Sequence, residues 1–98
     1  MTTPNKFPRE CGPGWNRLID KLQKDIETIE PGLEYTQIKE KYGTLCVYVG
    51  LVYNEKVYDL IDKAEADSGL ICEHCGEPGI LRGKGWYETT CETHKTQH

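Results

Sequence analysis

Cys72-Glu73-His74-Cys75-Gly76 and Cys91-Glu92-Thr93-His94 are the stretches on which the reading of this chain turns. Each sets two metal-binding side chains three positions apart, and fifteen residues separate Cys75 from Cys91. Donors so spaced in a tight turn can both reach one tetrahedral ion, at about 2.3 Å from each sulfur. Gly76, directly after the second thiol, lets the backbone fold back over the sulfurs. The spacing predicts that Cys72, Cys75, Cys91 and His94 hold one structural zinc ion. Four protein donors fill a tetrahedral shell and leave no position for a catalytic water. His74 lies inside the first knuckle, where ligation would strain the turn that Cys75 closes, so it is not expected to be a ligand.

Between the knuckles, Ile80-Leu81-Arg82 and Trp86-Tyr87-Glu88-Thr89-Thr90 read as two strands about a Gly83-Lys84-Gly85 turn. That is the layout of a zinc ribbon, and it occupies 70–98. Residues 1–69 read as a helix–hairpin–helix core. Gly12-Pro13 opens a helix, with proline where its missing N–H costs nothing. Trp15, Leu18, Ile19, Leu22, Ile26 and Ile29 continue it as one apolar stripe at helical period, ended by Pro31-Gly32. Asp20 and Lys24 stand as an i,i+4 pair on its polar face. Tyr35 to Lys39 and Thr44 to Val49 read as a hairpin joined by Glu40-Lys41-Tyr42-Gly43. The apolar side of its second strand, Leu45, Val47 and Val49, is expected to lie on the first helix. Asn54 caps a second helix, carried by Val57, Leu60, Ile61 and Ala64 and closed at Ser68-Gly69 with glycine as the C′ residue. Residues 1–11, with two prolines and little periodicity, read as an extended arm. The expected class is α+β: two helices packed on a small antiparallel sheet, with the ribbon extending that sheet or capping its end, in one domain over 1–98.

Ninety-eight residues bury a small core, and chains of this size often need a staple. Five cysteines offer one. The start of the chain has no apolar segment suited to export, which predicts a reducing cytoplasm and metal-bound thiols in preference to disulfides. Cys11 and Cys46 lack a C-x-x-C partner and are expected to remain reduced thiols. No apolar run is long enough to span a bilayer. Twelve basic residues against sixteen acidic ones leave a net charge of −4, with nine against twelve over 1–70 and three against four thereafter. Neither part is basic, which disfavours direct binding to duplex DNA.

Enzyme readings find little to hold. Residues 76–90 contain neither histidine nor asparagine, as a nuclease framed by zinc knuckles would need, and Ser68 is the one serine. No phosphate-cradling G-x-x-x-x-G-K-[ST] loop is present. The chain is expected not to be an enzyme.

Gly14-Trp15, Ile38 to Leu45, Cys72 to Gly79, Arg82 to Trp86 and Cys91 to His94 together resemble small proteins of bacteriophages and prophages. Those proteins join a helix opening with Gly-Trp to an I-K-E-K-Y-G-T-L segment and a C-x-x-C-G-x-P-G, R-x-x-G-W, C-x-x-H tail. They often carry arginine or lysine where this chain has Cys46, so a charged role at that position does not carry over. The resemblance implies a bacterial host cytoplasm. It also implies a protein that inhibits a bacterial defence complex by protein contact, with a CRISPR effector nuclease as the favoured target, as anti-CRISPR proteins do. The alternative is a nucleic-acid-binding zinc-ribbon accessory of phage gene expression. The surfaces expected to meet a partner are the acidic face of the second helix, with Asp59, Asp62 and Glu65, and the ribbon turn, with Arg82, Lys84, Trp86 and Tyr87. Trp86 is expected to pack on the ribbon more than to stand exposed.

Overall fold

The computed structural model of the chain describes residues 9–83 and 87–94. In order they form β1 (Arg9–Glu10), a 3-10 turn (Pro13–Trp15), α1 (Asn16–Ile29), β2 (Tyr35–Lys41), β3 (Thr44–Val49), α2 (Glu55–Ser68), β4 (Ile80–Gly83) and β5 (Tyr87–Thr90). One sheet has the order β1-β2-β3, with β1 parallel and β3 antiparallel to β2. The second sheet is the antiparallel pair β4-β5. The class is α+β, as expected, and the ribbon does not extend the main sheet.

Pro13 takes the first position of the 3-10 turn, and α1 continues from it. Along the stripe Trp15, Ile19, Leu22 and Ile26 are buried, while Leu18 and Ile29 pack at the margin of the core. Of the arm read over 1–11, residues 1–8 lie outside the described residues, and Arg9–Glu10 form β1. Arg9 reaches across α1 to Asn16 Oδ1 at 3.1 Å, Asp20 Oδ1 at 2.7 Å and Gln23 Oε1 at 2.9 Å, and so ties β1 to the helix. Asp20 is therefore taken by Arg9, and the i,i+4 pair on this helix is Lys21–Asp25.

The hairpin turn is tighter than the four residues expected. Lys41 pairs with Thr44, which leaves only Tyr42 and Gly43 between the strands. Both have positive φ, 53° and 85°. That is the signature of a type I′ turn, whose twist matches the flanking strands. Tyrosine is an uncommon choice there, and glycine is the residue that accepts φ > 0 without strain.

Along the edge of β3 lies α2, which also packs on α1, and the apolar side of β3 (Leu45, Val47) shares one buried core with Ile19, Leu22 and Ile26 of α1 and with Val57, Ile61 and Ala64 of α2. Asn54 Oδ1 caps α2 by accepting the Lys56 N–H at 3.0 Å. Gly69 closes the helix at φ −71°, in the right-handed region, so no left-handed glycine cap is used. The last turns of α2 also close the sheet's edge. Ser68 Oγ accepts the Leu45 N–H at 2.8 Å, and Glu65 Oε2 accepts the Val47 N–H at 2.9 Å. Side chains of α2 thus stand in for a fourth strand and satisfy edge donors that would otherwise invite pairing with another chain.

Burial raises the Glu65 pKa against the opposing effect of the Val47 N–H, with Asp62 adding to the rise. A carboxyl with a raised folded pKa favours folding below its ordinary range, and that contribution is lost as pH rises through the folded value. Glu65→Gln keeps an acceptor for Val47 and removes the charge. It is expected to match or exceed the parent in stability at neutral pH, with the difference closing in acid where Glu65 is itself protonated. Glu65→Ala strands the Val47 N–H and is expected to cost about 1–3 kcal/mol. Thermal unfolding as a function of pH checks both.

Candidate metal centre

The first knuckle begins at Cys72, where the chain leaves α2 through an isolated bridge between Ile71 and Pro78. Gly76, at φ +84°, turns the chain back so that its N–H meets the Cys72 carbonyl at 2.9 Å. The second knuckle follows β5 directly, and the His94 N–H returns to the Cys91 carbonyl at 3.2 Å. Strands β4 and β5 pair from Ile80↔Thr90 to Gly83↔Tyr87, which sets the two knuckles side by side.

The donor atoms of Cys72, Cys75, Cys91 and His94 all lie within 4.8 Å of one another. Cys75 Sγ and Cys91 Sγ are 3.6 Å apart, Cys72 Sγ and His94 Nδ1 3.6 Å, and Cys91 Sγ and His94 Nδ1 3.2 Å. Tetrahedral metal–sulfur and metal–nitrogen bonds of about 2.3 and 2.0–2.1 Å set sulfurs about 3.8 Å apart and sulfur from nitrogen by about 3.6 Å. The observed separations match such a shell closely enough for these four residues to hold one metal ion. Three thiols and one imidazole form a soft to borderline donor set, suited to zinc and poorly suited to magnesium or calcium.

Two of the three thiols, Cys72 and Cys91, are electrostatically prepared for a cation. Burial works to raise the Cys72 pKa, but N–H groups of Cys91, Cys75 and His74 aimed at its sulfur outweigh that and bring it below the usual thiol value. Cys91 is lowered in the same way, its desolvation offset first by the His94 N–H. At Cys75 the Glu77 N–H favours the thiolate, but desolvation and the adjoining Cys91 and Cys72 together outweigh it, and the pKa goes up. Three thiols packed this closely ionise together only if a cation sits among them.

Each knuckle is tied to the ribbon by a side-chain pair. His74 Nε2 lies 2.9 Å from Glu88 Oε1, and this hydrogen bond raises the His74 pKa. Arg82 Nη2 lies 2.9 Å from Glu92 Oε2. His74 therefore points to β5 and stays outside the donor group, although its ring lies 5.4 Å from that of His94. Cys11 and Cys46 also stay outside it. Cys11 sits at the edge of the core, and burial, with Glu73 nearby, pushes its thiol up to about 11.

The centre rests on the rest of the fold at two glycines. The Gly14 N–H donates to Glu73 O at 2.6 Å, and a Cβ at Gly14 would collide with the Cys72 carbonyl. The neighbouring Gly12 N–H meets Glu73 Oε2 at 3.0 Å, and Trp15 Nε1 donates to Ile71 O at 2.9 Å. On the other side, buried Thr89 Oγ1 donates to Gly43 O at 2.6 Å, and a Cβ at Gly43 would stand 2.5 Å from Leu81 Cδ1. Glu73, Glu88 and the two glycines carry no metal-ligand pattern, and only their neighbourhood in space reveals their part.

The surfaces expected to meet a partner divide. Asp59 and Asp62 are exposed, whereas Glu65 is turned to the edge of β3. Arg82 is engaged by Glu92 and by the Thr90 carbonyl at 3.4 Å. Tyr87 is 45% exposed. Lys84 and Trp86 lie outside the described residues. No helix among the described residues is long and apolar enough to cross a membrane.

The chain matches no protein-family model, no curated protein and no solved structure. The likeness to phage and prophage proteins rests on the motifs alone.

The purified protein is expected to carry one divalent metal ion per chain by elemental analysis. Cys72→Ser and Cys91→Ser should each release it, while Cys11→Ser, Cys46→Ser and His74→Gln should retain it. Full occupancy in both ligand variants, or loss in any of the other three, overturns the assignment.

Proposed function

We propose that this chain is a non-enzymatic binding module whose C-terminal part is shaped by one structural zinc ion. The observation that carries this reading is the closed set of four protein donors. Zinc bound there offsets two of the three thiolate charges and imposes tetrahedral geometry, and four protein ligands leave no coordination position for a substrate. The remaining work of the centre is mechanical: it holds two knuckles and one hairpin in register against the core.

The partner in this proposal is a bacterial defence complex, with a CRISPR effector nuclease as the favoured target, and the class comes from the motif resemblance. Exposed Asp59 and Asp62 on α2 support it, since carboxylates there complement the basic channel of a nuclease and steer its approach. Half-exposed Tyr87, on a strand braced by the metal, supplies an aromatic anchor.

Zinc-loaded, reduced protein is expected to show no nuclease, protease or deaminase turnover. Turnover that vanishes on changing a non-ligand histidine or carboxylate overturns the non-enzymatic reading. Against a CRISPR effector nuclease in stopped-flow, Asp59→Lys with Asp62→Lys should slow association several-fold, with the deficit shrinking as salt rises. Tyr87→Ala should leave association unchanged and speed dissociation. If inhibition survives all three substitutions and fails on surface changes in α1, the acidic-face assignment is wrong.

A further inference from the structure

Alternation along the main sheet separates two sets of side chains. Ile38, Leu45 and Val47 are buried with the helices. The opposite face carries Gln37, Lys39 and Lys41 from β2 and Thr44, Cys46 and Tyr48 from β3, joined in the register Gln37↔Tyr48, Lys39↔Cys46 and Lys41↔Thr44. None of these six residues is buried. The helices lie on the other side, and among the described residues the ribbon meets the sheet at the Tyr42-Gly43 turn.

This face differs in chemistry from the rest of an acidic protein. Lys39 Nζ stands 5.9 Å from the centre of the Tyr48 ring, and Lys41 Nζ 5.8 Å from that of Tyr42. Tyr48 is 40% exposed and Tyr42 72%. The two lysines are two positions apart on one strand, hence about 6.7 Å along it, close to the reach of one extended nucleotide. The described carboxylates nearby are engaged. Glu10 Oε1 accepts from Gln37 Nε2 at 3.2 Å, Glu65 closes the β3 edge, and Glu40 turns back to the Gly43 N–H at 2.6 Å. Lys39 and Lys41 against Glu10 give the side chains on this face a net charge of +1, with Glu65 at the β3 edge and Glu40 beside the turn as flanking carboxylates, in a chain of net charge −4.

We propose that this open sheet face binds single-stranded nucleic acid, a base stacking on Tyr48 and the adjoining phosphates lying on Lys39 and Lys41. Every base has a π-face, so an aromatic ring beside an ammonium group takes single strands with little sequence preference, whereas a duplex hides its bases. Gln37 and Thr44 add polar groups for base edges or sugar hydroxyls. The site is separate from the metal centre and from the acidic face of α2, and it does not depend on the function proposed above.

Fluorescence anisotropy of labelled oligothymidylate and oligouridylate with the full, zinc-loaded chain tests it. Binding at low salt should weaken with a log–log salt slope of about −1.4, the value for two phosphate contacts on a single strand. Lys39→Gln and Lys41→Gln should each bring that slope about 0.7 nearer zero. Tyr48→Leu should weaken binding roughly tenfold or more, Tyr48→Phe should not, and Tyr53→Ala, an exposed tyrosine elsewhere, should change nothing. The lysine variants keep the test decisive if Tyr48→Leu fails to fold. Absence of oligonucleotide binding at low salt overturns the proposal. So does binding indifferent to Lys39, Lys41 and Tyr48, or equal affinity for a duplex of the same length. Lysine-dependent binding to phosphatidylserine vesicles without binding to either oligonucleotide assigns the face to a membrane surface and also overturns it.

Discussion

The Gly14 N–H meets the Glu73 carbonyl at 2.6 Å, and through that contact the metal centre becomes part of the fold. One residue on, Trp15 is wholly buried in the core while its indole N–H reaches the Ile71 carbonyl. One residue back from Glu73, Cys72 is wholly buried within the group of four that could hold a metal ion. A single turn of backbone therefore touches the helical core on one side and the first knuckle on the other. Only glycine at position 14 allows the approach, because any Cβ would meet the Cys72 carbonyl. A metal bound by these donors and the packing of the core would stabilise the same short stretch, so its removal would weaken the seat of α1 as well as the tail.

The ribbon grips the molecule a second time at the Tyr42-Gly43 turn. The Thr89 hydroxyl holds the Gly43 carbonyl, and Leu81 fills the space a side chain at Gly43 would take. The far edge of the same hairpin is closed by Ser68 and Glu65 from α2. The three-stranded sheet is thus clamped at its turn by the ribbon and along its edge by a helix. Among the described residues its helix-averted face keeps its six side chains accessible.

Much of this was legible in the residues taken singly and in their spacing. The stripe from Trp15 to Ile29 marks α1, and β-branched and aromatic runs mark β2 and β3, because period in the chain reports which face is buried. The C-x-x-C and C-x-x-H pairs mark the donor set, because ligand spacing is a local property of two tight turns. The misplacements concern contacts between segments far apart in sequence. Nothing near Glu65 tells that it serves Val47 in place of a strand, so periodicity puts it with Asp59 and Asp62 on a solvated face. Arg9 is in an arm without periodicity, and its three partners on α1 appear only when the arm lies across the helix. Gly12-Pro13-Gly14 reads as a helix start, which it is, but the spacing is silent on why two glycines are needed. Lys39, Lys41 and Tyr48 pass as the semi-polar side of a strand until the register sets them together on one open face.

That register links the metal to the sheet's open face. Lys41 and Tyr42 flank the turn that Thr89 and Leu81 hold, and Thr89 stands two residues before the ligand Cys91. A type I′ turn with tyrosine at its first central position is not one the local sequence favours, since Tyr42 sits at a φ of 53° that side chains other than those of glycine and asparagine resist. The ribbon's contact on Gly43 supplies from outside the specification that the turn chemistry lacks. An ion held by the four donors would act at a distance: by bracing β5 against the second knuckle it would hold the turn, and by holding the turn it would keep Lys39 and Lys41 in register with Cys46 and Thr44 across the strand. A structural metal need not touch a binding surface to shape it, provided the chain between them is short and each link is a buried hydrogen bond or a close backbone approach. Here it runs from Cys91 through buried Thr90 and Thr89 to the Gly43 carbonyl, which the Thr89 hydroxyl meets at 2.6 Å.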